Sequence, residues 1–116
     1  MSRKGYDSEY TAKLELIKQF GKKNVIKVAI GGAVDFIAIK KGRIDLQVEV
    51  KQTIAKKYYP LPQEKEQIER IIAFGEEHNV QSELWVFYRK GAGRKTEKVV
   101  KVLYEHKILN NNIDKT

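Results

Sequence analysis

The apolar positions of this 116-residue chain change period several times, and each change marks an element. "EYTAKLELIKQF" reads as a helix, with Tyr6 just before it and Tyr10, Leu14 and Ile17 within it falling at helical spacing, and Gly21 as the stop. "NVIKVAI" and "AVDFIAI" read as two short strands. "GRIDLQVEVK" is the clearest strand. Ile44, Leu46, Val48 and Val50 point one way, and Asp45, Gln47, Glu49 and Lys51 the other. After the proline-bearing loop "QTIAKKYYPLP", "PQEKEQIERIIAFGEEH" returns to helical period, with Ile68, Ile71, Ile72 and Gly75 on one stripe. Pro62 suits its first turn, and Glu64 and Glu66 suit the positive end of its dipole. "ELWVFYR" and "TEKVVKVLYE" are two more strands around the basic glycine-rich turn "KGAGRK", and "HKILNNNIDKT" reads as a frayed tail.

This order predicts one α/β domain over residues 1–116, with a central mixed five-stranded sheet flanked by helices and a flexible tail from about 107. The second helix serves as the crossover between strands three and four.

Asp35 interrupts an apolar run, where an acid is costly unless it is paired or liganded. The hairpin turn decides whether it meets Glu49. A two-residue loop at Lys41-Gly42 would pair Asp35 with Val48 and point it away from Glu49. A three-residue loop, Lys40-Lys41-Gly42, would place Asp35 opposite Gln47 and diagonal to Glu49 on one face. Gly42 at the third loop position favours the second arrangement. Diagonal Cβ atoms lie roughly 7–8 Å apart, within reach of one hard cation at about 2.0–2.1 Å bonds. Two carboxylates this close repel, and a divalent cation relieves them. Oxygen ligands point to Mg2+ or Mn2+. Lys51, on the same face, could hold a phosphoryl oxygen, as metal-assisted phosphodiester hydrolysis requires. Taken alone, "EVK" is also a common charge pattern on a solvent-facing strand.

Charge narrows the partners. The formal net charge is +8 and the pI about 9.6. Residues 1–58 hold 13 Lys/Arg against 6 Asp/Glu, and residues 59–116 hold 10 against 9. A Lys- and Glu-rich surface fits heat tolerance, but not an excess of one sign. Nucleic acid is the first candidate partner. The lack of cysteine excludes thiolate metal sites, and with two histidines far apart in sequence, His78 and His106, an imidazole-rich zinc site is not expected. No apolar run approaches a membrane span and no signal-peptide pattern opens the chain, so an intracellular protein with no membrane partner is expected.

Asp35, thirteen intervening residues and "EVK" resemble the PD-(D/E)xK nuclease core. Over roughly residues 3–104 the chain also resembles the archaeal Holliday junction resolvase family. The segments that carry this are "RKGYDSEY", "VDFIAIKKGRIDLQVEVK", "KEQIERIIAFGEEHN" and "ELWVFYRKG". The resemblance implies a restriction-endonuclease-like fold and a homodimer that cuts four-way DNA junctions with Mg2+, Mn2+ substituting, and no small-molecule cofactor. Glu9 then matches the family's helix-borne catalytic glutamate. Asp35 and Glu49 match its metal-binding acids, with the Val50 carbonyl as a further ligand, and Lys51 matches its catalytic lysine. Gln67 matches a polar residue near the site. Arg3 and Lys4 match the basic N-terminal segment that touches DNA. Val34 stands where the family has proline, and "VAIGGAVD" is short and lacks the family's serine. Lys56, Lys57, Arg89, Lys90, Arg94 and Lys95 are candidate backbone contacts. Ile72, Phe74 and Trp85 are candidates for either core or dimer interface. Three function classes stay open: a junction resolvase, another nuclease on this core such as a nickase or flap nuclease, and a non-catalytic DNA-binding protein.

Overall fold

The computed structural model describes residues 4–30, 34–89 and 96–108. Helix α1 (Lys4–Phe20) is followed by a 3-10 turn (Lys22–Asn24) and three strands, β1 (Val25–Lys27), β2 (Phe36–Lys40) and β3 (Arg43–Thr53). Helix α2 (Pro62–His78) then leads to β4 (Gln81–Tyr88) and β5 (Glu97–Tyr104). The five strands form one sheet in chain order. Only β3 and β4 run parallel, joined by α2 as the predicted crossover.

Helix α1 covers one face. Ala12 and Leu16 pack with Phe36, Ala38, Leu46, Val48, Val50, Trp85 and Phe87. The predicted stripe on this helix is corrected. Tyr6 lies outside the described side chains, Tyr10 and Leu14 are each 47% exposed and Ile17 is half-buried, and among the described side chains of α1 the buried ones are Ser8, Ala12 and Leu16. Two of those three side chains are small, so the helix lies close to the sheet, with Leu16 reaching into the core while Tyr10 and Leu14 turn outward. Gly21, at φ 93°, ends α1, its N–H donating to the Ile17 carbonyl at 2.8 Å.

Helix α2 covers the other face. Pro62 occupies its first turn, and Glu64 Oε1 accepts a hydrogen bond from the Leu61 N–H at 2.8 Å. Ile71 and Gly75 are its buried residues. Gln47 Nε2 donates to the Ile71 carbonyl at 3.0 Å and to Ser82 Oγ at 2.8 Å, fixing the helix over β3 and β4. At Gly75 an added Cβ would lie 2.4 Å from Ser82 Oγ and 3.0 Å from the Val80 carbonyl oxygen. Only glycine allows this approach.

The hairpin corrects the predicted loop. Lys40 pairs with Arg43, so Lys41-Gly42 is a two-residue turn. Both residues have positive φ, 55° and 76°, as a type I′ turn requires. The extra residue sits in the strand instead. Ala38 faces Leu46 while Ile39 faces Ile44, which leaves Asp45 as a bulge. One residue past the Phe36–Val48 pair, Asp35 stands level with Glu49 instead of opposite Gln47. The parity that places the two acids on one face survives by a different route.

Candidate active site

The site forms where β2 begins and β3 runs under the first half of α2. Asp35 precedes β2, and its Oδ2 accepts a hydrogen bond from the Val50 N–H at 2.7 Å. Its backbone is held as well, the N–H donating to the Val48 carbonyl at 3.1 Å and the carbonyl accepting from Val28 at 2.8 Å. Glu49, two residues along the same face from Lys51, is 3% exposed. Lys51 Nζ lies 3.1 Å from Glu49 Oε2 and 3.4 Å from Glu64 Oε2, and it donates to Gln67 Oε1 at 3.3 Å. Glu64 and Gln67 sit three residues apart on α2, so one helix face supplies both.

Burial pushes the Glu49 carboxyl up to about 7, and the Asp35 charge adds to it, against the pull of Lys51 and Gln67. Burial also raises Asp35, against the Val50 N–H, with Glu9 adding. Burial alone would lower Lys51, but Glu49 and Glu64 outweigh it and leave the ammonium above its ordinary value. Lys51 is therefore a fixed cation between two acids.

These side chains can receive a divalent cation. Glu49 Oε1 is buried with no hydrogen-bond partner. An orphaned carboxylate oxygen beside a second raised acid is a hard-oxygen arrangement that a cation would satisfy. Asp35, Glu49 and the Val50 carbonyl are the candidate donors. Among the described residues no three Asp, Glu or His side chains form a ready ligand group. Glu9 pairs instead with Lys27, its Oε1 2.7 Å from Lys27 Nζ, and its charge still acts on Asp35.

Likeness to known proteins narrows the reading. No protein-family model and no curated protein matches the chain. Its structure is similar to that of Hjc, a Holliday junction resolvase from the archaeal hyperthermophile Archaeoglobus fulgidus. The TM-score is 0.61 over 85% of this chain and 77% of that one, at 19% identity. The two proteins share a fold. The mixed five-stranded sheet between two helices is thus the expected α/β architecture, and it is the fold of Hjc.

The remaining predicted residues fall in three groups. Lys56 and Lys57 are exposed in the loop after β3. Arg89 follows β4 at the same end of the sheet, its N–H donating to the Thr53 carbonyl at 2.9 Å. Lys4 opens α1, and Arg3, Lys90, Arg94 and Lys95 lie outside the described residues. Of the interface candidates, Trp85 belongs to the core, with Nε1 donating to Glu83 at 2.9 Å. Ile72 is half-buried, and Phe74 is 40% exposed. Phe74 borders an apolar groove of about 340 Å³ with Val34, Ile37, Ile44 and Ile71. Most of the predicted tail lies outside the described residues, but its start is fixed. Asn79 Nδ2 donates to the Lys107 carbonyl at 2.8 Å, and the Lys107 N–H donates to Asn79 Oδ1 at 2.7 Å.

Sequence reasoning assigns no site role to Glu64, Tyr58 or Lys27. It marks Glu64 only as a dipole-friendly helix acid, although the spacing from Gln67 is a usable signal. The buried Tyr58 hydroxyl lacks a well-formed hydrogen bond, and burial and the neighbouring Glu64 push its phenol well above the ordinary value. No local pattern announces Tyr58, or the Lys27–Glu9 pair between β1 and α1.

Proposed function

We propose that this protein is a metal-dependent, structure-selective DNA endonuclease that resolves four-way junctions by paired phosphodiester hydrolysis. The observation that carries the reading is the convergence of Asp35, Glu49, Lys51 and Gln67 at one end of a resolvase-like sheet. Asp35 and Glu49, with the Val50 carbonyl, would hold Mg2+, with Mn2+ as a substitute. When bound, the cation supplies Lewis-acid charge at the phosphate and lowers the pKa of water. The Val50 N–H fixes the rotamer of Asp35 for this task. Lys51 has donors only, so it orients the attacking water and balances charge on the pentacoordinate phosphate without taking a proton. Gln67 and Glu64 hold its Nζ in place. Glu9 stands at the rim and joins the site by exchanging Lys27.

The loop cations Lys56 and Lys57, with Arg89 and the Arg3, Lys4, Lys90, Arg94 and Lys95 segments, would grip the phosphate backbone and read junction shape. Two symmetric cuts call for a twofold homodimer. The groove beside Phe74 is the apolar surface that suits such an interface, in place of the buried Trp85. Phe74→Glu is expected to convert a dimer to a monomer by sedimentation. A DNA substrate also implies an intracellular site of action.

The test is cleavage of labelled four-way junctions and matching linear duplexes in Mg2+. Paired cuts confined to the junction support the proposal. Cutting of both substrates supports a less selective nuclease or nickase. Tight binding with no cutting in Mg2+ or Mn2+ overturns the catalytic reading.

A further inference from the structure

The end of the sheet opposite the acids carries a second cluster, of the other sign. Lys40, Lys41 and Arg43 surround the hairpin turn, and Lys107 leaves the far side of the fold to line the same cleft of about 350 Å³. Asp45 is the one acid among the lining residues. Lys22 and Lys23 extend the strip, because Val25, which follows their turn, pairs with Ala38 near the end of β2. All six cations are exposed. None of them makes an ion pair among the described residues. Much of the positive excess of the N-terminal half is gathered here, away from the proposed catalytic centre.

The backbone beneath these side chains is held firmly. The type I′ turn fixes Lys41 and Gly42. Asn79, itself left-handed at φ 55°, clamps Lys107 through two hydrogen bonds. Gln81 Oε1 accepts from the His106 N–H at 3.0 Å and lies 3.0 Å from its Nδ1. Six residues of strand separate Arg43 from Glu49, about 20 Å at the usual rise.

We propose that this strip is a second phosphate-backbone site, which grips a DNA arm about 20 Å from the scissile bond. The proposal rests on the nuclease reading above. Exposed cations spread over three segments suit the spaced charges of a polyanion better than one small buried anion. A backbone already fixed at both sides loses little entropy when it binds.

The test is the variant Lys40→Gln, Lys41→Asn, Arg43→Gln. Asn-Gly is a favoured type I′ pair, so the hairpin is preserved. Junction affinity is measured by fluorescence anisotropy in EDTA across a salt series, and single-turnover cleavage is measured at saturating enzyme. The slope of log K against log salt should flatten by about 0.9 for each phosphate that is no longer neutralised, roughly 1–3 in all. Affinity at 0.1 M salt should fall about tenfold or more, and the saturated cleavage rate should hold. Unchanged affinity and slope overturn this site while leaving the nuclease reading intact. A wild-type protein that binds neither junction nor duplex overturns both. If the variant loses polyglutamate binding but keeps the wild-type junction slope, the strip is a site for acidic protein and not for DNA.

Discussion

Strand β3 begins among exposed charges and ends among buried ones, and the two ends treat charge in opposite ways. At the Arg43 end, cations of like sign face water, spread over three segments, and each costs the fold little. At the Glu49 end, two acids share a desolvated corner with one ammonium, and both acids are raised. The first end can hold a polyanion through number and spacing. The second stores unfavourable charge that a cation or phosphate chemistry would use. The sharpest break in this comparison is at Asp35. Asp35→Asn should reduce single-turnover cleavage by on the order of 10³-fold, with junction affinity in EDTA kept. A variant that keeps its rate would place the chemistry elsewhere.

Glu49→Gln tests the stored cost directly. The folded carboxyl titrates at about 7 against an ordinary value of 4.5. Between those values the folded state binds more protons than the unfolded one, so wild-type stability falls as pH rises through 7. The neutral variant escapes this loss. In metal-free buffer it should exceed wild type by about 1–3 kcal/mol at pH 8, with the gap closing near pH 4, while cleavage in Mg2+ is lost. Denaturant titration at the two pH values checks it. Equal stabilities at pH 8 would show that the corner is not electrostatically strained.

The legible part of this corner was the part governed by short periods. Alternation along "GRIDLQVEVK" put Glu49 and Lys51 on one face, and an acid in an apolar run marked Asp35. Helix α2 was recognisable to the residue from Pro62 to His78, since proline, glutamates and an apolar stripe agree. The register was harder. A bulge at Asp45 and a two-residue turn satisfy the same parity as the expected three-residue loop, and Gly42, which pointed to the longer loop, serves equally as the second residue of a type I′ turn. Helix α1 misled because Tyr10 and Leu14 face outward while Ser8, Ala12 and Leu16 make the contact with the sheet. Glu64, Tyr58 and Lys27 depend on how α2 and β1 dock, which only the tertiary packing decides.

Gly75 couples α2 to the sheet and so sharpens the comparison from beneath the site. In Gly75→Ala the new methyl would meet Ser82 Oγ, the Val80 carbonyl oxygen and Tyr104 Cβ. The helix must shift, at a cost of about 1–3 kcal/mol. Because α2 carries Gln67 and Glu64, the saturated cleavage rate should fall with stability, while the salt slope of junction binding stays. Thermal melts beside single-turnover assays check both. An unchanged melting temperature would mean that helix and sheet are packed less closely than the structure has them.

The smallest expected effect lies at the other end and has the opposite sign. Lys41 occupies a left-handed conformation at φ 55° in a turn where asparagine is preferred. Lys41→Asn alone should raise stability by a few tenths of a kcal/mol, seen as a small rise in melting temperature. It should also weaken junction binding and flatten the salt slope by less than about one unit. Stability and affinity would then move apart at the hairpin, just as stability and cleavage move apart in Glu49→Gln. Both ends of β3 would carry a charge where a neutral residue makes a more stable fold. If Lys41→Asn raises stability with no change in binding, only the acid end keeps its charge for function.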